Sequence, residues 1–182
     1  MILALGTVTL DTIDAPGGGV IDVPGGSALF SAAAACRVAS VRPVGVVGAD
    51  YPLAALRPLG ARGVDLEGLR TSDHNSLRWH ARYDEEGRRT TISSDRSILE
   101  SFDPTLSAEE AAAPWVFLGS IDPRIQGRVL DQVTAPIGVG LDSMGHWIEG
   151  RREELMSLIA RATVYFGSEG EVRVLGESDD VD

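Results

Sequence analysis

The chain has 182 residues, 43% of them hydrophobic, enough for one α/β domain with a real core, and the composition is neither disordered nor fibrous. A formal net charge of −11 argues against a nucleic-acid footprint, which needs clustered positive charge to displace counterions from phosphates, so a small-molecule partner is expected. All 16 positive side chains are arginine, and without lysine a Walker-type loop, which ends in Gly-Lys-Ser/Thr, cannot be built within this sequence.

Ile2 to Leu5, with Val8, form a short apolar run ending in Thr9-Leu10-Asp11. This predicts a buried strand with a carboxylate at its carboxyl end, the end at which α/β sheets bind ligands. No positive segment precedes the run and it stops at strand length, so neither a signal peptide nor a membrane span is expected. Cys36 is the only cysteine, which rules out an intrachain disulfide and a cysteine-based zinc cluster and suits a reducing, cytoplasmic setting.

Next, DAPGGGVIDVPGG brackets a short strand, Val20 to Val23, too polar and brief for the core. Ser27 is the expected N-cap of an alanine-rich helix to about Val38, whose small side chains allow close approach to a sheet. Val44 to Val47 is the following strand. Residues 77–94, LRWHARYDEEGRRTTISS, alternate apolar and polar around Asp84-Glu85-Glu86-Gly87, as an antiparallel hairpin does. The two excursions, about 12–24 and 77–94, are expected to pair as a small sheet covering the ligand end of the main one.

Downstream the strand and helix rhythm resumes, with strands at Trp115 to Leu118, Ile137 to Leu141 and from Val164 to Phe166, and helices at Arg124 to Val133 and His146 to Ala160. This order implies βαβ units with right-handed crossovers in a mostly parallel sheet. His74, His80 and His146 lack a ligand-like spacing and are expected to be surface or lining residues.

No G-x-G-x-x-G follows a strand, so a dinucleotide fingerprint is absent. The stretch PGGSALF at 24–30 fits two readings: a tight turn entering a helix, or a place where glycine backbone lets a ligand approach closely near free helix N–H groups.

Taken together, GTVTLDTI at 6–13, PGGSALF at 24–30, VGVVGADYP at 44–52, LGARGVDLEGL at 59–69 and LGSIDP at 118–123 resemble the PfkB carbohydrate kinases, the ribokinase-like family. The resemblance runs in order from residue 2 to 175 and corresponds to the amino-terminal portion of that family. It implies a Rossmann-like α/β domain with a β-sheet lid, and transfer of the ATP γ-phosphate to a sugar or sugar-like hydroxyl with Mg²⁺. Carried over by motif, Asp11 would contact sugar hydroxyls, and Gly25 and Gly26 would approach the sugar at the base of the lid. Trp79 and Arg82 would be lid contacts or simply lid packing. Asp142 and Glu171 would lie near magnesium and phosphate, Glu171 being equally at home as a first-turn helix glutamate.

Departures from the family pattern are specific. Phe30 stands where an asparagine is common, Met144 and His146 follow Asp142 where Asn and Arg are usual, and Ser168-Glu169-Gly170-Glu171 replaces N-x-x-E; Asn75 is the only asparagine. The family's G-A-G-D segment, with its catalytic base and anion hole, does not occur in this sequence. The chain alone is therefore expected to be inactive as a kinase, with an acidic, linker-like tail at 177–182 and an unpaired apolar sheet edge. Self-association through the lid or that edge is expected. A non-catalytic sugar or metabolite sensor and an interaction module are the alternatives.

Overall fold

The computed structural model describes residues 1–177; the tail expected to be an exposed linker lies, from residue 178 on, outside the described residues. In chain order the elements are β1 (Ile2–Leu5), β2 (Thr9–Asp14), β3 (Val20–Gly25), α1 (Ser27–Ala35), β4 (Val41–Gly48), α2 (Arg57–Gly60), β5 (Leu69–Ser72), β6 (Leu77–Tyr83) and β7 (Arg89–Asp95). They continue through α3 (Ala108–Ala111), β8 (Trp115–Leu118), α4 (Pro123–Gln132), β9 (Gly138–Asp142), α5 (Gly145–Gly150), α6 (Arg152–Ile159), β10 (Val164–Phe166) and α7 (Glu169–Gly176).

Six strands form a parallel sheet in the order β10-β9-β8-β1-β4-β5, so β1 lies at its centre. Alternation along β1 sends side chains to both faces. Leu3 and Leu5 share a cluster with Ile125 and Val129 of α4 and Leu155 of α6, whereas Ala4 shares one with Ala32 of α1. Ala28 and Ala32 are fully buried, and their single methyl groups let α1 pack close to the sheet. β10 is the edge strand, with Val164 and Phe166 about half exposed. No helix among the described residues is long and apolar enough to cross a membrane.

The second sheet has the order β3-β2-β6-β7. Two antiparallel hairpins, β2/β3 and β6/β7, are joined by parallel pairing of β2 with β6, from Thr9 opposite Leu77 to Asp14 opposite Arg82. The two excursions thus form one sheet, as expected. Gly87 closes the β6/β7 turn with a φ of 77°, a conformation that suits a residue without Cβ.

Three local expectations need correction. Asp11 does not end β1; the chain leaves the main sheet after Leu5, and Asp11 lies within β2 of the small sheet. A short apolar run does not reveal which of two sheets it joins. Ser27 does not cap α1, because Gly26 holds the cap position and the Ser27 hydroxyl bonds elsewhere. The helix expected at 146–160 breaks at Arg151, whose φ of −145° interrupts the helical path between α5 and α6. Strand β5, missed in the sequence because LRTS is short and polar, is held at the edge by parallel pairing with β4.

One arginine ties the small sheet to the large one. The Arg78 guanidinium on β6 reaches Asp22 on β3, and through Nη2 reaches Asp50, just past β4, at 2.9 Å. Asp50 Oδ1 in turn accepts from the Ser76 amide at 2.7 Å and the Ser76 hydroxyl at 2.6 Å. Arg78→Ala is expected to cost only about 1 kcal/mol, because the pairs are partly exposed. It should nevertheless speed amide hydrogen exchange selectively in β2, β3 and β6; unchanged exchange there would show that these ion pairs do not hold the small sheet.

Candidate functional site

Between the small sheet, the start of α1 and the carboxyl ends of β8 and β9 lies a cavity of about 510 Å³, in the range of small-molecule sites. Asp11, Gly26, Trp79, Asp142 and Glu171 all line it, although they are scattered over 160 positions of sequence, Asp11 to Glu171.

Asp11 is 7% exposed, and its Oδ1 is buried without a hydrogen-bond partner among the described residues, as is the Thr9 hydroxyl beside it. Burial pushes the Asp11 carboxyl above its usual range, with the Thr9 hydroxyl pulling weakly the other way. Thr9 pairs across the hairpin with Gly25, and a Cβ on Gly25 would overlap Asp11 Oδ2 and come within 2.7 Å of its Cγ. Gly25 does not itself line the cavity; its missing side chain is the space that the Asp11 carboxylate occupies. Gly26 lines the cavity and has φ 99° and ψ 156°, a region essentially confined to glycine.

The turn into α1 is fixed by Ser27. Its hydroxyl donates to the Ser120 carbonyl at 3.0 Å and accepts from the Thr7 amide at 3.1 Å. One side chain thereby joins the β1–β2 connection, the first turn of α1 and the segment after β8.

On the opposite side Asp142, at the end of β9, accepts from the Ser120 amide at 3.2 Å. Burial pushes its carboxyl up, and the nearby Glu171 charge adds to the rise. Ser120 and Ser143 also line the cavity, and their hydroxyls are buried without partners among the described residues. Glu171 completes a capping box at α7: its Oε2 accepts from the Ser168 amide and hydroxyl, each at 2.8 Å. Both carboxylates therefore have protein donors already. Among the described residues no three His, Cys, Asp or Glu side chains stand where they could hold a metal ion.

Arg82 is placed elsewhere. Trp79 and Arg82 are three residues apart on one strand and so point to opposite faces. Trp79 lines the cavity, while Arg82 is 65% exposed and lies 3.6 Å from Asp14, which also sits 3.0 Å from His80. Strict alternation could have separated them from the sequence alone. Phe30, standing where an amide is common in the resembled family, lines the cavity while remaining 64% exposed. Sequence reasoning missed Thr9, Ser120, Ser143, Arg89 and Arg96, which line the cavity; Thr9 and Ser120 fall within stretches that carry the resemblance, but the pattern gave their hydroxyls no role.

A parallel α/β sheet flanked by helices, with a separate four-stranded sheet beside the carboxyl ends of its strands, is the ribokinase-like fold, and the expected fold class is borne out. No protein-family model matches the chain, and no curated protein does. Among solved structures it is similar to the Methanocaldococcus jannaschii nucleoside kinase, described as an archaeal member of the ribokinase family, at 16% identity and a TM-score of 0.73, over 97% of this chain and 63% of that one. It is also similar to the Burkholderia thailandensis nucleoside kinase in complex with inosine, at 15% identity and a TM-score of 0.76, over 98% of this chain and 63% of that one. A PfkB protein from a Polaromonas species matches at 15% identity and a TM-score of 0.72, over 98% of this chain and 69% of that one. The chain thus spans less than two thirds of the length of the two nucleoside kinases.

Proposed function

We propose that this chain forms the acceptor-binding part of a kinase that transfers the γ-phosphate of ATP to a hydroxyl of a sugar or sugar-like molecule. The observation that carries this reading is Asp11: a buried carboxylate with an unpartnered oxygen, facing a cavity of small-molecule size beneath a lid. A carboxylate accepts hydrogen bonds from vicinal hydroxyls, and leaving its buried oxygen unpaired costs stability that a ligand hydroxyl would restore. The Thr9, Ser120 and Ser143 hydroxyls supply further unpaired groups around the same space.

In this reading the small sheet excludes water, so that the phosphoryl group goes to the acceptor and not to solvent. Gly25 makes room for Asp11, and Gly26 brings backbone to the acceptor. ATP supplies the phosphoryl group when bound, and Mg²⁺ would accompany its phosphates. Asp142 and Glu171 do not amount to a resident metal site, and no step here depends on a metal held by this chain. The catalytic base and anion hole of the resembled family have no counterpart in this sequence, so they would come from outside it.

The test is direct binding by calorimetry of pentoses, hexoses and nucleosides to the 182-residue chain. Saturable binding that Asp11→Ala weakens by about 100-fold or more is expected, since truncation removes a charged acceptor of several hydrogen bonds. Binding indifferent to Asp11→Ala would overturn the assignment of the cavity. The chain by itself is expected to show no ATP-dependent phosphorylation of the ligand it binds; turnover at ordinary enzyme rates would contradict that.

A further inference from the structure

We propose that the acceptor carries an anionic group, a carboxylate or a phosphate, and that Arg96, assisted by Arg89, holds that group in the cavity. This rests on the reading of the cavity as an acceptor site and adds the charge of what it accepts.

Two cations stand apart from the rest in this acidic protein. Most arginines here are paired with carboxylates, as Arg42 is with Asp65, Arg70 with Glu110, and Arg124 with Asp122. Arg89 and Arg96 both line the cavity, yet among the described residues neither guanidinium has a carboxylate within 4.0 Å or donates a hydrogen bond to any acceptor. Each lies over a tryptophan that also lines the cavity: Arg89 is 5.6 Å from the centre of the Trp79 ring, and Arg96 is 5.8 Å from that of Trp147. Cation–π contact positions a guanidinium without consuming any of its five N–H donors.

Arg96 is the stronger of the two. It is half-buried, just past the end of β7, and burial alone pulls its pKa down. A partly desolvated cation without a counter-charge is unfavourable, and a bound anion would relieve it. The cavity's own carboxylates do not do so: Asp142 accepts from Ser120, Glu171 from Ser168, and Asp11 lies beyond ion-pair distance. A neighbouring cavity of about 420 Å³ shares Arg96 and Trp147 with the first, so the guanidinium stands where the two spaces meet and has room beside it. The result is a divided site, with Asp11 facing hydroxyls and Arg96 facing the anionic end of the same ligand. Planar, forked donors suit carboxylate and phosphate oxygens alike.

The test compares neutral compounds with their anionic counterparts on the full chain: glucose with gluconate, ribose with ribonate, and glycerol with glycerol phosphate. Binding is read by calorimetry and by tryptophan emission, because two of the three tryptophans line the cavity. At least one anionic compound should bind about tenfold or more tighter than its neutral counterpart, as expected of charge-assisted hydrogen bonds. Which pair shows the preference distinguishes carboxylate from phosphate. Arg96→Met should erase the preference and Arg96→Lys should keep part of it. In the unaltered protein, added salt should weaken binding of the anionic compound and not that of the neutral one, a readout that needs no variant to fold. Neutral compounds that bind through Asp11 with no charge preference would overturn this proposal and leave the acceptor site standing. A preference that survives Arg96→Met combined with Arg89→Met would also overturn it. Absence of any Asp11-dependent binding would overturn both readings.

Discussion

Asp11→Asn should make the protein more stable at neutral pH, by about 1–3 kcal/mol, while weakening ligand binding; the gain is the usual cost of a buried charged group left without a partner. For a chain of this length that corresponds to a rise in Tm of roughly 2–4 °C per kcal/mol. The sign of the pH dependence follows from burial. The folded-state pKa of Asp11 lies above its ordinary value of 3.8, so as pH falls the folded protein takes up this proton before the unfolded chain does. The stability associated with Asp11 is therefore full below 3.8 and is lost as pH rises through the folded-state value. The asparagine variant should gain most at neutral pH, and its advantage should vanish in acid. Urea unfolding of both proteins across that range measures the difference directly. A variant no more stable than the parent at pH 7 would show that Asp11 is not strained by burial.

Gly26→Ala is expected to be among the most damaging single substitutions. At φ 99° and ψ 156° a residue with a Cβ is strained, and that Cβ would overlap the Thr7 carbonyl and come within 2.7 Å of its carbon. Backbone on both sides cannot yield, because Ser27 is anchored to Thr7 and Ser120. A loss of about 3–4 kcal/mol is expected, together with loss of acceptor binding, because the turn aims both α1 and the floor of the cavity. Gly170→Ala is the control. On helix α7, with nothing within 4 Å of the added methyl, it should instead stabilise slightly, by about 0.5–1 kcal/mol. Thermal unfolding of the two variants beside the parent is sufficient. If Gly26→Ala unfolds within a degree or two of the parent, the turn is softer than its geometry indicates.

Both predictions sit on residues that the sequence pointed to, and for a physical reason. Adjacent glycines and a carboxylate following an apolar run are local features, each written within a few consecutive positions. The βαβ rhythm was equally legible, because strand length, helix periodicity and turn residues are each written within a few consecutive positions. Trp115 to Leu118 is a strand as expected, and the hairpin around Asp84 to Gly87 pairs as expected.

What local pattern could not carry was partnership across the chain. Nothing in Thr9 to Asp14 says that it leaves the main sheet to pair with a strand more than sixty residues later, yet that pairing buries Asp11 beside Thr9. The Ser27 hydroxyl has the chemistry of a cap, but the Thr7 amide and the Ser120 carbonyl claim it. For Glu171 the sequence leaves two places open, beside a phosphate and metal or closing a helix turn; the fold puts its carboxylate in a capping box with Ser168 and also in the lining of the cavity. Arg96 and Trp147 are 51 positions apart; only the packing of the small sheet near the end of the large one sets the guanidinium over the ring and leaves, among the described residues, a cation without a counter-charge in the cavity. Element type follows from short-range sterics and periodicity, which neighbouring residues specify, whereas burial, pairing and charge balance at the site follow from long-range packing.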